Sequence, residues 1–167
     1  MKPLTMCFTL NGKNRTWDLL EVHDSVVIIL YNISRKVLVL VKQFRPAVYY
    51  YAIPAEERND NVDVQKYPSE LGVTIELCAG LLTKTCRLHQ ILSYPSSIGS
   101  SGSTQTAFYC EVTDDMKVTQ GGGVEDESIE VVEMTVPEVL SYISNGKILS
   151  PPSFLFGIYW FIQNKMN

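Results

Sequence analysis

The first 45 residues read as a run of short apolar stretches broken by turn-forming residues. Two such stretches flank Asn11-Gly12, a dipeptide that suits a tight type I′ hairpin because both positions take positive φ. Strands are predicted over Thr5 to Leu10 and Arg15 to Leu20, so residues 1–22 form an N-terminal hairpin. SVVIILYN and KVLVLVKQF are dense in β-branched residues and are separated by Asn32, Ser34, Arg35 and Lys36. They predict a second hairpin whose strands are buried on both faces. From Pro46 to Leu71 prolines and charges of both signs follow no period, which predicts a long surface loop or lid.

Beyond it, GVTIELCAGLL is a short strand ending at Ala79-Gly80, and CRLHQILSYP is another. A Ser/Gly loop then leads into a strand from Thr104 to Val112. TQGGGVEDES is a further loop before a strand at Ile129 to Val136. Pro137 opens a helix with Val139, Leu140 and Ile143 on one face and Gly146 as its stop, and PPSFLFGIYWFIQNKM is a second helix, apolar on most sides. Many strands with helices late give a single α/β (α+β) domain over residues 1–167.

Composition narrows the function. Fourteen Lys and Arg against eighteen Asp and Glu leave a net charge of −4, with no basic stripe, so a nucleic-acid partner is not expected. No apolar stretch approaches the ~20 residues that span a bilayer, so no membrane anchoring is expected. Cys7, Cys78, Cys86 and Cys110 lie far apart without a C-x-x-C pair, which predicts buried reduced thiols in a cytoplasmic protein rather than a disulfide framework. His23 and His89 read as solvated or core histidines. Gly121 to Gly123 is followed by acids and not by Lys-Ser or Lys-Thr, so it is not a phosphate loop. Such an acidic loop repels phosphates unless a divalent cation intervenes.

The segments WDLLEVHDSVVIIL, VLVLVKQFRPAVY, GVTIELCAGL, SGSTQTAFYCEV and GGGVEDESIEVVEM succeed one another in an order that resembles the Nudix hydrolases, nearest the UDP-sugar and ADP-ribose pyrophosphatases. The resemblance runs over nearly the whole chain. It implies an α/β/α Nudix sandwich with a mixed sheet, Mg²⁺-dependent hydrolysis of a nucleoside-diphosphate sugar such as UDP-glucose (or of ADP-ribose) to a nucleoside monophosphate and a sugar phosphate, and a homodimer. It also implies site residues. Arg45 in KQFRP matches a phosphate-contacting arginine, and Glu76 in IELCAG a glutamate that braces the site through an ion pair. Ala79 would offer a backbone carbonyl to the metal. Glu127, with Glu125 as alternate, matches a late-loop glutamate used as general base or metal ligand. Trp17 matches a position able to stack on a base across a dimer.

The family's defining motif, G-x5-E-x7-R-E-U-x-E-E-x-G-U with U aliphatic, should begin at Gly80. Counting on, its glutamate positions fall on Cys86, Pro95, Ile98 and Gly99, and no Asp or Glu occurs between Glu76 and Glu111. A strand-helix-loop unit is missing near residues 82–86, taking with it the catalytic helix and the usual arginine partner of Glu76. Pyrophosphate hydrolysis of this kind needs carboxylates that converge on a hard cation. The shortened chain is therefore expected to be weakly active or inactive, to bind Mg²⁺ poorly, and to expose one sheet face. The alternative is a non-catalytic nucleotide-sugar-binding protein or a regulatory partner of full-length subunits.

Overall fold

A computed structural model describes residues 1–79, 86–117 and 129–166. Strands β1 (Lys2–Leu10) and β2 (Lys13–Glu21) form the N-terminal hairpin, antiparallel with Lys2 opposite Glu21 and Leu10 opposite Lys13. The turn is made as the dipeptide predicts, with Asn11 at φ 54° and Gly12 at φ 72°. The strands run further than the apolar pattern suggested, because backbone pairing does not depend on a buried face.

The main sheet has the order β5-β4-β3-β7-β6, from β3 (Ser25–Asn32), β4 (Val37–Phe44), β5 (Val73–Leu77), β6 (His89–Pro95) and β7 (Thr104–Val112); β8 (Ile129–Thr135) also pairs with β4. One edge of β4 is taken by β8 from Val37 to Gln43. Its other edge is shared, with β3 on the first half and β5 on the second. The two strands of the central hairpin therefore splay apart, and the end of β5 enters the gap, where Ile28 N–H donates to the Cys78 carbonyl at 2.8 Å. β3 and β7 are parallel and the remaining pairs antiparallel, so the sheet is mixed. Of the two hairpin strands, β3 is buried on both faces from Val27 to Leu30, whereas β4 alternates, with Leu38 and Leu40 buried in the helix-covered core and Val39 only partly buried on the other face.

One face of the sheet is covered by two helices. α2 (Val136–Ile143) begins with a capping box in which Glu138 accepts the Thr135 N–H at 2.7 Å, and it carries Pro in its first turn. It ends at Ile143, ahead of Gly146, and Leu140 turns out to solvent while Val139 is buried. α3 (Pro152–Lys165) buries Phe154, Gly157, Ile158 and Phe161 against Val27, Ile29, Leu38, Leu40, Leu77 and Tyr109. Gly157 is the point of closest approach, since a Cβ there would stand 2.6 Å from Leu77 Cδ1.

The opposite face gathers a smaller cluster, Ile28, Leu30 and Cys110 with Val39, Cys78, Cys86, Phe108 and Val112. None of its members comes from a helix. The described residues thus form a mixed sheet with helices on one side, a Nudix-like α/β arrangement without the second helical layer.

Two expectations are corrected. The stretch after Pro46 is not loop throughout: α1 (Pro46–Ala52) opens it, with Pro at the first turn, where its fixed φ suits a helix. 3₁₀ turns follow at Ala55–Glu57 and Ser69–Gly72, and Tyr49 stacks on Phe44 at 5.5 Å. The cysteines are not all buried thiols. Cys7 is exposed on the hairpin, and Cys86 and Cys110, 24 residues apart, are joined by a disulfide with Cα atoms 6.4 Å apart. Sequence spacing concealed that pair, because β6 and β7 bring their two ends together. His23 and His89 are solvent-exposed, and among the described residues no helix is long and apolar enough to cross a membrane.

Candidate functional site

Where β4 ends and β5 begins, register decides which side chains meet. Val41 is opposite Glu76 and Gln43 opposite Thr74, so Thr74, Glu76 and Cys78 project to one face and Ile75 and Leu77 to the helix-covered core. Arg45, two residues beyond Gln43, joins that first face. Its guanidinium grips the Glu76 carboxylate with two parallel bonds, Nε to Oε1 and Nη2 to Oε2, each 2.7 Å. Thr74 Oγ1 donates to Glu76 Oε1 at 2.6 Å. Burial pushes the Glu76 carboxyl up, but the bonds from Arg45 and Thr74 outweigh it and hold the group below the usual carboxylate range.

The arrangement is asymmetric. The Glu76 side chain is 14% exposed while that of Arg45 is 42% exposed, so the carboxylate is sunk in the sheet and the guanidinium stands at its rim. Glu76 holds the Nε–Nη2 side of the fork. The bidentate geometry fixes the direction of the guanidinium as well as placing its charge. Backbone supports the same corner: Arg45 N–H donates to the Gly72 carbonyl at 2.8 Å, and the Arg45 carbonyl, at the N-cap position of α1, accepts from Tyr49 N–H at 3.0 Å.

Of the residues predicted from sequence, Arg45 and Glu76 are brought into direct contact, and Ala79 is exposed just past the end of β5. Arg45 thus takes the place of the ion-pair partner expected from the missing segment. Trp17 lies elsewhere, on the hairpin, 55% exposed, where its indole N–H donates to the Gly99 carbonyl at 3.0 Å and joins the hairpin to the β6–β7 loop. Glu125 and Glu127 lie outside the described residues. Thr74 was missed, although its signal was present: in a strand, the residue two before Glu76 shares its face.

Comparison with known proteins now bears on this geometry. A scan of protein-family models gave no match. The chain is 36% identical to the bovine (Bos taurus) uridine diphosphate glucose pyrophosphatase NUDT14, over 96% of this chain and 87% of the relative. It is 33% identical to the mouse (Mus musculus) protein of the same name, over 98% and 88%. The chain belongs to the Nudix hydrolases. A GDP-mannose pyrophosphatase of Escherichia coli O139:H28 is a more distant member, 31% identical over 77% of this chain and 70% of its own length. Within this Nudix chain, Arg45 and Glu76 stand on the sheet face that no helix of the described residues covers.

Proposed function

We propose that this chain is a shortened nucleoside-diphosphate-sugar pyrophosphatase that holds UDP-glucose or a related substrate through its diphosphate and hydrolyses it slowly or not at all. The observation that carries the reading is the stretch without a single Asp or Glu between Glu76 and Glu111, where the family motif requires several. The alignments support a missing internal segment. They run over 194 and 196 positions while drawing on a chain of 167 residues, which leaves about thirty positions at which the relatives have residues and this chain has none.

Among the described residues, the groups around Glu76 do not fit a hard cation such as Mg²⁺. Both oxygens of Glu76 are engaged, Oε1 by Arg45 Nε and Thr74 and Oε2 by Arg45 Nη2. The Ala79 carbonyl alone is a weak ligand, and among the described residues no three His, Cys, Asp or Glu side chains converge. What the chain retains is recognition. Arg45, oriented by Glu76, meets a phosphate oxygen, and the substrate's remaining contacts hold it without activating water. The exposed hairpin, with Leu4, Met6, Leu10 and Trp17 in solvent, supports pairing of two chains, or of this chain with a full-length subunit.

Sugar phosphate released from UDP-glucose in Mg²⁺ tests the reading, comparing the 167-residue chain with a form that restores a motif-bearing segment between Leu82 and Cys86. The shortened chain is expected to be slower by orders of magnitude, and Glu127→Gln should lower the rate of the restored form. Turnover of ~1 to 10³ s⁻¹ by the shortened chain would overturn the proposal.

A further inference from the structure

The helix-free face gathers three sulfurs. Cys78 ends β5, Cys86 precedes β6, and Cys110 lies on β7, all packed in the cluster around Ile28 and Leu30. We propose that Cys86 and Cys110 form a redox-reversible staple that fixes the chain's entry into β6 against β7, while Cys78 takes no part. This inference is independent of the nucleotide-sugar reading.

Geometry selects the pair. A Cα separation of 6.4 Å falls within the ~4.4 to 6.8 Å that a disulfide bridges without backbone movement. Access differs between the two ends: Cys110 is fully buried and Cys86 partly exposed. Exchange with a small-molecule thiol or disulfide therefore begins at Cys86. The third sulfur is held apart: Cys78 remains a free thiol whose Sγ donates to the Val39 carbonyl at 3.4 Å, and burial pushes it up to about 11.

The position gives the bond its consequence. β6 is an edge strand of the main sheet, and His89 opposite Tyr109 is the first pair of its ladder with β7. Cys86 stands just before that pair, so the bond closes the end at which an edge strand frays. Oxidation proceeds by two exchanges with oxidised glutathione. The Cys86 thiolate attacks one sulfur, breaking the glutathione S–S bond and releasing one glutathione thiol. The Cys110 thiolate then attacks the Cys86 sulfur and expels the second. The two cysteines lose two electrons to the glutathione disulfide, their two protons end on the departing thiols, and excess reduced glutathione runs the sequence backwards.

The purified chain is equilibrated in glutathione buffers from fully reduced to fully oxidised, alkylated and mapped by mass spectrometry, and its melting temperature is read at each end. The expected result is a linked Cys86–Cys110 peptide that appears and disappears with the buffer, Cys78 alkylated only after denaturation, and a melting temperature about 6 to 12 °C higher when oxidised. The partly exposed Cys86→Ser variant should melt at one temperature in both buffers. Absence of the linked peptide in oxidising buffer, linkage through Cys7 or Cys78 instead, or equal melting temperatures for the two forms of the native sequence would each overturn the proposal.

Discussion

At the scale of single residues, the decisive contact is between Arg45 and Glu76. A carboxylate held below its usual range by a folded-state partner contributes stability that is present above the ordinary value of about 4.3 and is lost as pH falls through the folded value. Glu76→Gln should therefore flatten the acid limb of the melting curve. At neutral pH it should cost about 1 to 2 kcal/mol, an amount reduced by the water around Arg45. Thermal melts of both proteins from pH 7 to pH 3 check this, and parallel acid limbs would show that another group governs the loss. Arg45 and Glu76 were each legible in the sequence as members of distinct motifs. Their pairing was not, because it depends on the register of β4 against β5, which no spacing along the chain encodes.

At the scale of elements, the strand pattern was read closely and the loops less so. β7 runs from Thr104 to Val112, the bounds read from the sequence after the Ser/Gly loop. α1 was read as loop because a seven-residue helix leaves too short a period to detect, and its tyrosines have no helical preference to reveal it. α2 depends on its cap: Thr135 and Glu138 exchange bonds at the helix's first turn, and the helix is only eight residues long. Replacing Thr135 by Ala should cost about 1 kcal/mol, or about 2 to 4 °C in melting temperature for a chain of this size, and Ser in its place should restore most of the loss. A loss confined to Ala supports the cap, whereas equal losses for Ala and Ser would assign the effect to packing of the Thr methyl group.

At the scale of the whole molecule, one sheet face carries two helices and the other carries none among the described residues. The helix that the family places there would bury about four large side chains at ~1.5 to 3 kcal/mol each, a sum comparable with the ~5 to 15 kcal/mol stability of a whole domain. α3 does not cross over to compensate. Phe154, Ile158 and Phe161 belong to the opposite core. The isolated chain is therefore expected to self-associate and to bind a dye that reports exposed apolar surface, with a broad thermal transition. Gel filtration with calorimetry decides the matter, since a sharp transition of a defined monomer without dye binding would show that the second helical layer is dispensable.

Sequence alone determined the succession of strands along the chain, the type I′ turn at Asn11-Gly12, the apolar helix at Phe154 to Ile162 and the lack of carboxylates between Glu76 and Glu111. These are local properties: a turn's dihedral angles, a side-chain period and the identity of a ligand are each written within a few residues. Tertiary structure decided the rest. It splayed β3 from β4 to admit the end of β5, turned Arg45 onto Glu76 across 31 residues and brought Cys86 to Cys110 across 24. Each of these joins strands distant in the chain, and such contacts follow from which faces are buried together, a property of the assembled sheet that no short window of the sequence contains.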